Sequence, residues 1–322
     1  MEKEKSNADR LVIRNLKEDE IDKAESLVRL AFGTFLNIPD PLQNPAKRRM
    51  IAHRFFQNPQ NVIRGFIDGE LVGINVLSIW GSFAFFGPLA VRPDLWDSGV
   101  GSKLVDYSVR IFEKLGIVNL GLFTFADSPK HLGLYHKFGF HSRFLTPLME
   151  KKIDVRGDET KFDKFSSLDA SERKIVLNEI RDLTNELHQG LDLSSEIELV
   201  DKFELGDTIL LYRRQSELVG FGVCQYGENT EAGLDRCYVK FGASRSGLDS
   251  AKYFDELLSA CESISARFKA NTLEAGVNLS NDDSFDIMLK RGFQVLFVGV
   301  AMQKPNEPAF LRSGNFVMSD WR

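Results

Sequence analysis

An apolar run at residues 83–91 is followed by a loop that contains two glycines and then by a segment in which apolar residues recur at helical spacing, residues 100–115. The apolar run predicts a strand buried on both faces. The recurrence predicts an amphipathic helix that ends at Gly116. A buried strand that turns into such a helix is typical of a layered fold in which helices pack on a sheet. The sequence therefore predicts a mixed α/β architecture.

The segments on either side supply the other elements of the first half. Asp68-Gly69 separates two strand-like runs and predicts a tight hairpin turn, because both residues tolerate positive φ. The predicted strands are residues 11–16, 62–67, 71–80, 83–91 and 118–125; the predicted helices are residues 21–31, 45–56 with Pro45 in its first turn, 100–115, and 129–138; a closing hairpin begins at Phe140. The three strands between residues 62 and 91 are expected to be antiparallel, so the sheet is mixed and mostly antiparallel.

The second half repeats this outline. Residues 217–220 reproduce residues 70–73 letter for letter, and Gly292-Phe293 recurs where Gly139-Phe140 stands in the first half. Because these landmarks keep their order and nearly their separation, the sequence favours an internal duplication. A polar stretch at residues 154–163 suits a linker. We expect domains at residues 10–153 and 160–305, followed by a tail at residues 306–322.

Composition limits the classes of partner. With 46 acidic and 41 basic side chains and no long Lys/Arg run, nucleic acid is not an expected partner. Cys224, Cys237 and Cys261 lack the spacing of a zinc site, so we expect neither a metal nor a disulfide framework. No apolar stretch is long enough for a membrane span, and residues 1–10 do not resemble a signal peptide. The expected setting is the cytoplasm.

The loop between the buried strand and the helix carries the main chemical signal. Gly99 and Gly101 open a helix N-terminus, whose free N–H groups and dipole can hold an anion. A plain tight turn is the alternative interpretation. Two other phosphate-binding motifs do not fit, since a dinucleotide fingerprint needs glycine where Leu104 stands and a P-loop needs Gly-Lys-Ser/Thr at residues 101–103.

A second landmark follows the next strand, where Ser128 and Pro129 start a helix that contains Leu134-Tyr135 and ends at Gly139-Phe140. Val91-Arg92-Pro93 leading to Gly-x-Gly, with this second motif, resembles the GNAT superfamily of N-acetyltransferases. The resemblance covers residues 62–153 well and the second half in outline, and overall the chain is similar to tandem GNAT proteins. It implies two domains, each with a mostly antiparallel central sheet flanked by helices.

The resemblance also implies a function. Acetyl-CoA would be the cosubstrate, no metal would be used, and the acetyl group would pass directly to a primary amine in a ternary complex. The acceptor would be a small molecule or a peptide. The alternative is a non-catalytic acyl-CoA binding sensor or interaction module.

The site residues that the resemblance implies fall in the first half. Tyr135 matches the family's general acid, which assists departure of the coenzyme A thiolate. The residues matched to cofactor binding are Leu89, Ala90 and Val91 on the strand, Asp97, Ser98, Gly99, Val100, Gly101 and Ser102 in the loop, and Ser128, where the family usually has asparagine. The sequence departs from the family at Trp96, which replaces Gln or Arg, and at His131, which replaces a small residue.

The second half lacks this apparatus, since Met288 stands opposite Tyr135 and residues 241–250 contain no Gly-x-Gly. It is expected to act as a scaffold, as a wall of the acceptor pocket or as the surface of a homodimer. The aromatic group of Phe83, Phe85 and Phe86, with Trp80 and Phe35 nearby, suits either an acceptor pocket or a core. The tail carries Phe310, Phe316 and Trp321, so it either covers the second sheet or turns back to the first domain. In the second case Asp320, the terminal carboxylate or a water held by the tail could accept a proton from the amine.

Overall fold

The computed structural model describes residues 6–43, 47–154, 160–213 and 217–322. The first half contains α1 (Asn7–Arg10), β1 (Val12–Asn15), α2 (Ile21–Phe35), α3 (Ala52–Gln57), β2 (Val62–Ile67), β3 (Glu70–Trp80), β4 (Phe83–Val91), α4 (Val100–Lys114), β5 (Asn119–Phe125), α5 (Pro129–His136) and β6 (His141–Lys152). The second half contains β7 (Asp163–Lys164), α6 (Ala170–Leu187), α7 (Ser194–Lys202), β8 (Gly206–Tyr212), β9 (Leu218–Gly227), β10 (Gly233–Ser244), α8 (Ser250–Arg267), β11 (Thr272–Gly276), α9 (Asp282–Lys290), β12 (Gln294–Lys304) and β13 (Val317–Met318). From β1 to β6 and from β7 to β12 the described elements follow the same order.

The predicted mixed, mostly antiparallel sheet with flanking helices is confirmed, and most elements of the first half lie where the sequence placed them. The face of α2 predicted to be apolar is buried, with Leu27 and Val28 each no more than 6% exposed. The Asp68-Gly69 turn joins β2 to β3 with both residues at positive φ. Helix α4 packs through Leu104 on one face of the sheet, whereas α2 packs on the opposite face.

Two predicted elements of the first half were wrong. The helix expected at residues 45–56 is confined to α3, and Pro45 lies outside the described residues. The N–H groups of Met50 and Ile51 are instead taken by the Glu25 carboxylate, at 3.2 and 2.9 Å, so this segment binds α2 rather than itself. The hairpin expected from Phe140 is a single long strand, β6.

The two halves exchange their last strands within one sheet. In the described residues the strand order is β1-β2-β3-β4-β5-β12-β6-β11-β10-β9-β8-β7, and β13 pairs with β10. Strand β5 therefore pairs with β12 of the second half, and β11 pairs with β6 of the first half. Each half completes its sheet with a strand from the other half. The domain boundaries at residues 10–153, 160–305 and 306–322 remain predictions, and residues 155–159 of the predicted linker lie outside the described residues.

The halves also share a core. Trp80, Phe83 and Phe85 of the first half pack in one cluster with apolar residues of α6, α7 and the tail. Beside this cluster the Arg54 guanidinium is buried and donates to Glu196 at 2.6 and 2.9 Å and to Glu231 at 2.7 Å. Burial of paired charges across the boundary indicates a permanent contact between the halves. No described helix has the length and apolar character that crossing a membrane requires.

Candidate active site

Strands β4 and β5 separate from each other halfway along their length. They pair in parallel only where Phe83–Phe85 meets Asn119–Gly121. Beyond this point β4 stays paired with β3 through Leu89–Val91, and β5 stays paired with β12 through residues 122–125. Pro88 has no N–H and cannot extend the ladder toward β5. Within the described residues, one edge of β4 is thus left without a strand partner.

The separation opens a cleft of about 1090 Å³ that is lined from both faces of the sheet. On the face covered by α4 and α5, the lining includes Gly99, Gly101, Ser102, Thr124 and Tyr135. On the face covered by α2 and the tail, it includes Phe32, Phe35, Arg48, Phe123, Phe125, Phe297, Trp321 and Arg322. We call these two regions the loop end and the aromatic end of the cleft.

The loop end contains the N-terminus of α4. Gly99 is its N-cap at φ +88°, a conformation that strains any residue with a Cβ. The first backbone hydrogen bond of the helix runs from Lys103 N–H to the Gly99 carbonyl at 3.2 Å. The N–H groups of residues 100–102 precede it and therefore have no acceptor within the helix. A Cβ on Gly101 would lie 3.7 Å from Leu134 and 3.8 Å from Val91, which is ordinary van der Waals contact. Gly101 is therefore not required by packing within the chain.

Trp96 holds the loop against β4. Its indole N–H donates to the Val91 carbonyl at 2.8 Å, and the Lys130 ammonium lies 5.0 Å from the centroid of its ring. Lys130 also pairs with Asp97 at 2.9 Å. Trp96 therefore orders the loop through its indole N–H and its ring face.

Tyr135 belongs to α5, lines the cleft and is 5% exposed. Its ring centroid is 6.0 Å from that of Phe86. Burial raises the pKa of the Tyr135 phenol above its ordinary value, and a hydrogen bond with Thr124 opposes this shift. Tyr135 therefore remains a neutral hydrogen-bond donor at physiological pH.

His131 is a second titratable side chain of the cleft. Its ring stacks edge-on against Phe35 with centroids 4.8 Å apart, and its Nδ1 is 2.7 Å from the Ser128 hydroxyl. The Ser128 hydroxyl also accepts the His131 N–H and caps α5. Burial and the nearby Lys130 lower the pKa of His131, which favours the neutral imidazole at pH 7.

The structure brings most of the residues predicted from the sequence to the cleft. Those that line it are Leu89, Ala90, Val91, Asp97, Gly99, Gly101, Ser102 and Tyr135. Ser98 turns its hydroxyl to the Leu95 carbonyl at 2.6 Å, Val100 is buried in the core, and Ser128 caps α5. Of the predicted aromatic group, Phe35 and Phe86 line the cleft, whereas Trp80, Phe83 and Phe85 belong to the shared core.

The corresponding place in the second half is filled by the chain itself. Strand β10 pairs in parallel with β11 through residues 236–239, as β4 does with β5. Beyond this point Gly242 and Ala243 pair with Met318 and Val317 of β13. The tail thus covers the edge of β10 that corresponds to the open edge of β4, so the second half has no equivalent opening there.

The tail then turns back to the first half. Trp321 packs on Phe83, with ring centroids 4.9 Å apart, and Trp321 and Arg322 reach the aromatic end of the cleft. Asp320 does not line the cleft and is 1% exposed. Its carboxylate accepts hydrogen bonds from the Tyr238 hydroxyl at 2.7 Å and from Arg322 Nε at 3.1 Å. The hypothesis that Asp320 accepts the proton of the amine is therefore wrong, because that carboxylate is buried and already paired.

Sequence reasoning missed the residues that close the aromatic end. Leu148, Phe297, Trp321 and Arg322 come from the exchanged strands and the tail, and Arg48 comes from the segment expected to be helical. The aromatic content of the tail was the available signal, and it indicated docking without indicating where. Leu148, Phe297 and Arg48 belong to no sequence motif.

Comparisons with known proteins agree with this geometry. The model of the acetyltransferase (GNAT) family matches residues 26–140, the part of the chain that carries most of the cleft. An acetyltransferase candidate from Pyrococcus horikoshii is similar in structure, with a TM-score of 0.69, 16% identity, and coverage of 100% of this chain and 98% of that one. A GCN5-related N-acetyltransferase from Sphaerobacter thermophilus has a TM-score of 0.63 at 12% identity, with 92% and 96% covered. No curated protein matches the sequence.

These likenesses fix the class of fold. At such low identity the solved structures show a shared fold alone, and they show it over nearly the whole length of both chains. The match at residues 26–140 shows in addition that this part of the chain is similar to the GNAT acetyltransferase family.

Proposed function

We propose that the protein is an acetyl-CoA dependent N-acetyltransferase whose active site is the cleft between β4 and β5. The observation that carries this proposal is the open edge of β4 beside the N-terminus of α4, with Tyr135 in the lining of the same cleft. A strand edge can pair with the amide groups of a pantetheine arm. Free N–H groups at a helix N-terminus can bind its pyrophosphate. The family match at residues 26–140 supports the same assignment.

The residues of the cleft fit a coenzyme A thioester. Gly101 leaves space at the helix N-terminus that no packing within the chain requires, and Gly99 takes a backbone conformation suited to glycine. Lys130 and Lys137 add positive charge to the lining, although Lys130 is paired with Asp97. When bound, acetyl-CoA would supply the activated acetyl group and the thiolate leaving group.

Tyr135 would assist departure of the coenzyme A thiolate. An ordinary thiol has a pKa near 8.5 and an ordinary phenol near 10, so proton transfer from phenol to thiolate is uphill by about 2 kcal/mol. Burial raises the pKa of Tyr135 further. Tyr135 thus acts as a hydrogen-bond donor to the thiolate rather than as a full acid. The main chain of residues 89–91 orients the carbonyl group.

The attacking amine must lose a proton, and we propose His131 as its acceptor. It lines the cleft, and its lowered pKa favours the neutral form. When Nδ1 donates to the Ser128 hydroxyl, Nε2 keeps its lone pair for the proton. In the second half β13 covers the strand edge that corresponds to the open edge of β4, so that half has lost the cofactor site. It instead forms one wall of the pocket that binds the acceptor amine.

The test is release of free thiol from acetyl-CoA in the presence of a panel of primary amines, with acetyl-CoA binding measured by calorimetry. Amine-dependent thiol release with saturable binding would support the proposal. Binding without thiol release for any amine would favour a non-catalytic binding module. Absence of binding would contradict both.

A further inference from the structure

The aromatic end of the cleft carries more positive than negative charge. Arg29, Arg48 and Arg322 line it, and Glu25 is the acidic side chain of this end among the described lining residues. The Glu25 carboxylate is 3% exposed and is occupied by three consecutive main-chain N–H groups, the nearest that of Ile51 at 2.9 Å. The Glu25 carboxylate is thus occupied by main-chain hydrogen bonds, whereas the three arginines line the cleft.

Arg322 is held in one orientation. Its Nε donates to Asp320 at 3.1 Å and its Nη1 donates to Glu274 at 3.2 Å. The guanidinium carbon lies 4.1 Å from the centroid of the Tyr238 ring. The side chain is only 17% exposed, and its Nη2 is buried without a hydrogen-bond partner among the described residues. A rigid guanidinium with one unpaired N–H group is a preorganised donor for an anion.

The carboxylates of this cluster lie behind the arginines. Glu274 is 1% exposed and does not line the cleft, yet it is shared by Arg48 at 2.9 Å, by Arg322 and by Arg236. Burial lowers the pKa of Arg48, and the positive charges of Arg322 and Arg236 lower it further, against the opposing effect of Glu274. The three arginine charges therefore repel one another, and an anion in the cleft would offset that repulsion.

The rest of this end is apolar. Phe297 lies 5.5 Å from Phe125 between ring centroids, and Phe125 lies 4.5 Å from Phe35. Trp321 closes the end next to Arg322. This wall suits an apolar group of ligand size, with a fixed cation at its edge.

Building on the proposed N-acetyltransferase function, we infer that the acceptor is a primary amine that also carries an apolar group and a carboxylate, and that the carboxylate binds Arg322 Nη2. An amino acid with an apolar side chain belongs to this class. The one unpaired nitrogen of Arg322 matches one carboxylate oxygen, from which it would gain its missing hydrogen bond.

The test uses matched pairs of acceptors in the thiol-release assay: phenylalanine, leucine, methionine and tryptophan, each with its amide. Removal of the carboxylate charge should lower kcat/KM by about 10- to 150-fold in the preferred pair, the range for a hydrogen bond to a charged group. Equal values within the pairs, or preference for the amides, would overturn the inference. So would acetylation of other amines without acetylation of any of these acids.

Two variants connect the preference with the arginines. Arg322→Met should bring the acid-to-amide ratio close to one, whereas Arg322→Lys keeps the charge and should retain part of it. Because Arg322→Met removes one cation from the buried carboxylates of Asp320 and Glu274 and could prevent folding, Arg29→Met gives a second measurement. Arg29 pairs with no carboxylate among the described residues and donates to Ser26 at 2.9 Å. Arg29→Met should reduce the acid-to-amide ratio of kcat/KM severalfold.

An unchanged ratio in every folded variant would contradict the role of the arginines. If acetyl-CoA binds but no amine releases thiol, the proposed function has failed, and the inference fails with it. That outcome differs from acetylation without a preference for carboxylates, which overturns the inference alone.

Discussion

Removal of one oxygen atom tests the role of Tyr135. In Tyr135→Phe the ring keeps its contact with Phe86, and the chain loses only the hydroxyl and its hydrogen bond with Thr124. Loss of one such bond costs about 0.5–1.5 kcal/mol of folding free energy. A bond to a developing thiolate is worth about 1.5–3 kcal/mol, since one partner is charged. At 1.36 kcal/mol per tenfold change in rate, kcat should fall by roughly 10- to 150-fold.

The assay is thiol release at saturating acetyl-CoA and amine, together with calorimetric binding of acetyl-CoA, whose Kd should change by less than about threefold because the bond forms in the transition state. Tyr107→Phe is the matched control, because Tyr107 lies on α4 and outside the cleft lining. A kcat for Tyr135→Phe within threefold of the original, or an equal loss in the control, would refute the assignment.

The raised pKa of Tyr135 gives a prediction for the dependence of kcat on alkaline pH. Burial raises the pKa of Tyr135 above its ordinary value near 10, so the phenol keeps its proton at every lower pH. The kcat of the unmodified protein should therefore show no decline caused by this group up to about pH 9.5. An alkaline limb near pH 8 that disappears in Tyr135→Phe would contradict the burial argument.

Three further predictions concern the loop, the proton acceptor and the contact between the halves. Gly101→Val should abolish acetyl-CoA binding in calorimetry while the melting temperature stays within a few degrees, because its Cβ meets only ordinary contacts in the chain; normal binding would mean that the site is misplaced. His131→Asn should lower kcat at pH 7 by about 100-fold, and the acidic limb of the original profile should lie below about pH 6.5, since the pKa of His131 is lowered; an unchanged kcat would exclude His131. Arg54→Met should lower the unfolding free energy in urea by about 3–5 kcal/mol by leaving Glu196 buried without its cation, against less than about 0.5 kcal/mol for the exposed Arg110→Met; equal small effects would show that the buried pair contributes little.

The local elements of the fold could be predicted because their causes are local. The spacing of Leu27 and Val28 on α2 and the turn at Asp68-Gly69 depend on neighbours in sequence. The length of α3 depends instead on Glu25, which takes the N–H groups that a longer helix would use. No pattern within residues 45–56 reveals that competition.

The site divides in the same way. Gly101 and Tyr135 belong to motifs within one half, and both line the cleft, although their chemical roles remain predictions. Phe297 and Arg322 reach it through strand exchange and through the path of the tail, which are choices among distant partners. Because both halves have the same order of elements, β12 suits either sheet by its pattern, and the sequence does not distinguish the two pairings.

The exchange of β6 and β12 has a consequence for synthesis on the ribosome. Phe125 of β5 pairs with Gly299 of β12, and more than half of the chain lies between them. Chains emerge at about 5–20 residues per second, so the edge of β5 stays uncovered for roughly ten seconds or more, a period in which an unpaired strand is prone to aggregate. The first half cannot mature before the second has been translated. A nascent chain therefore gains the aromatic end of its cleft and its protected sheet in the same late folding event.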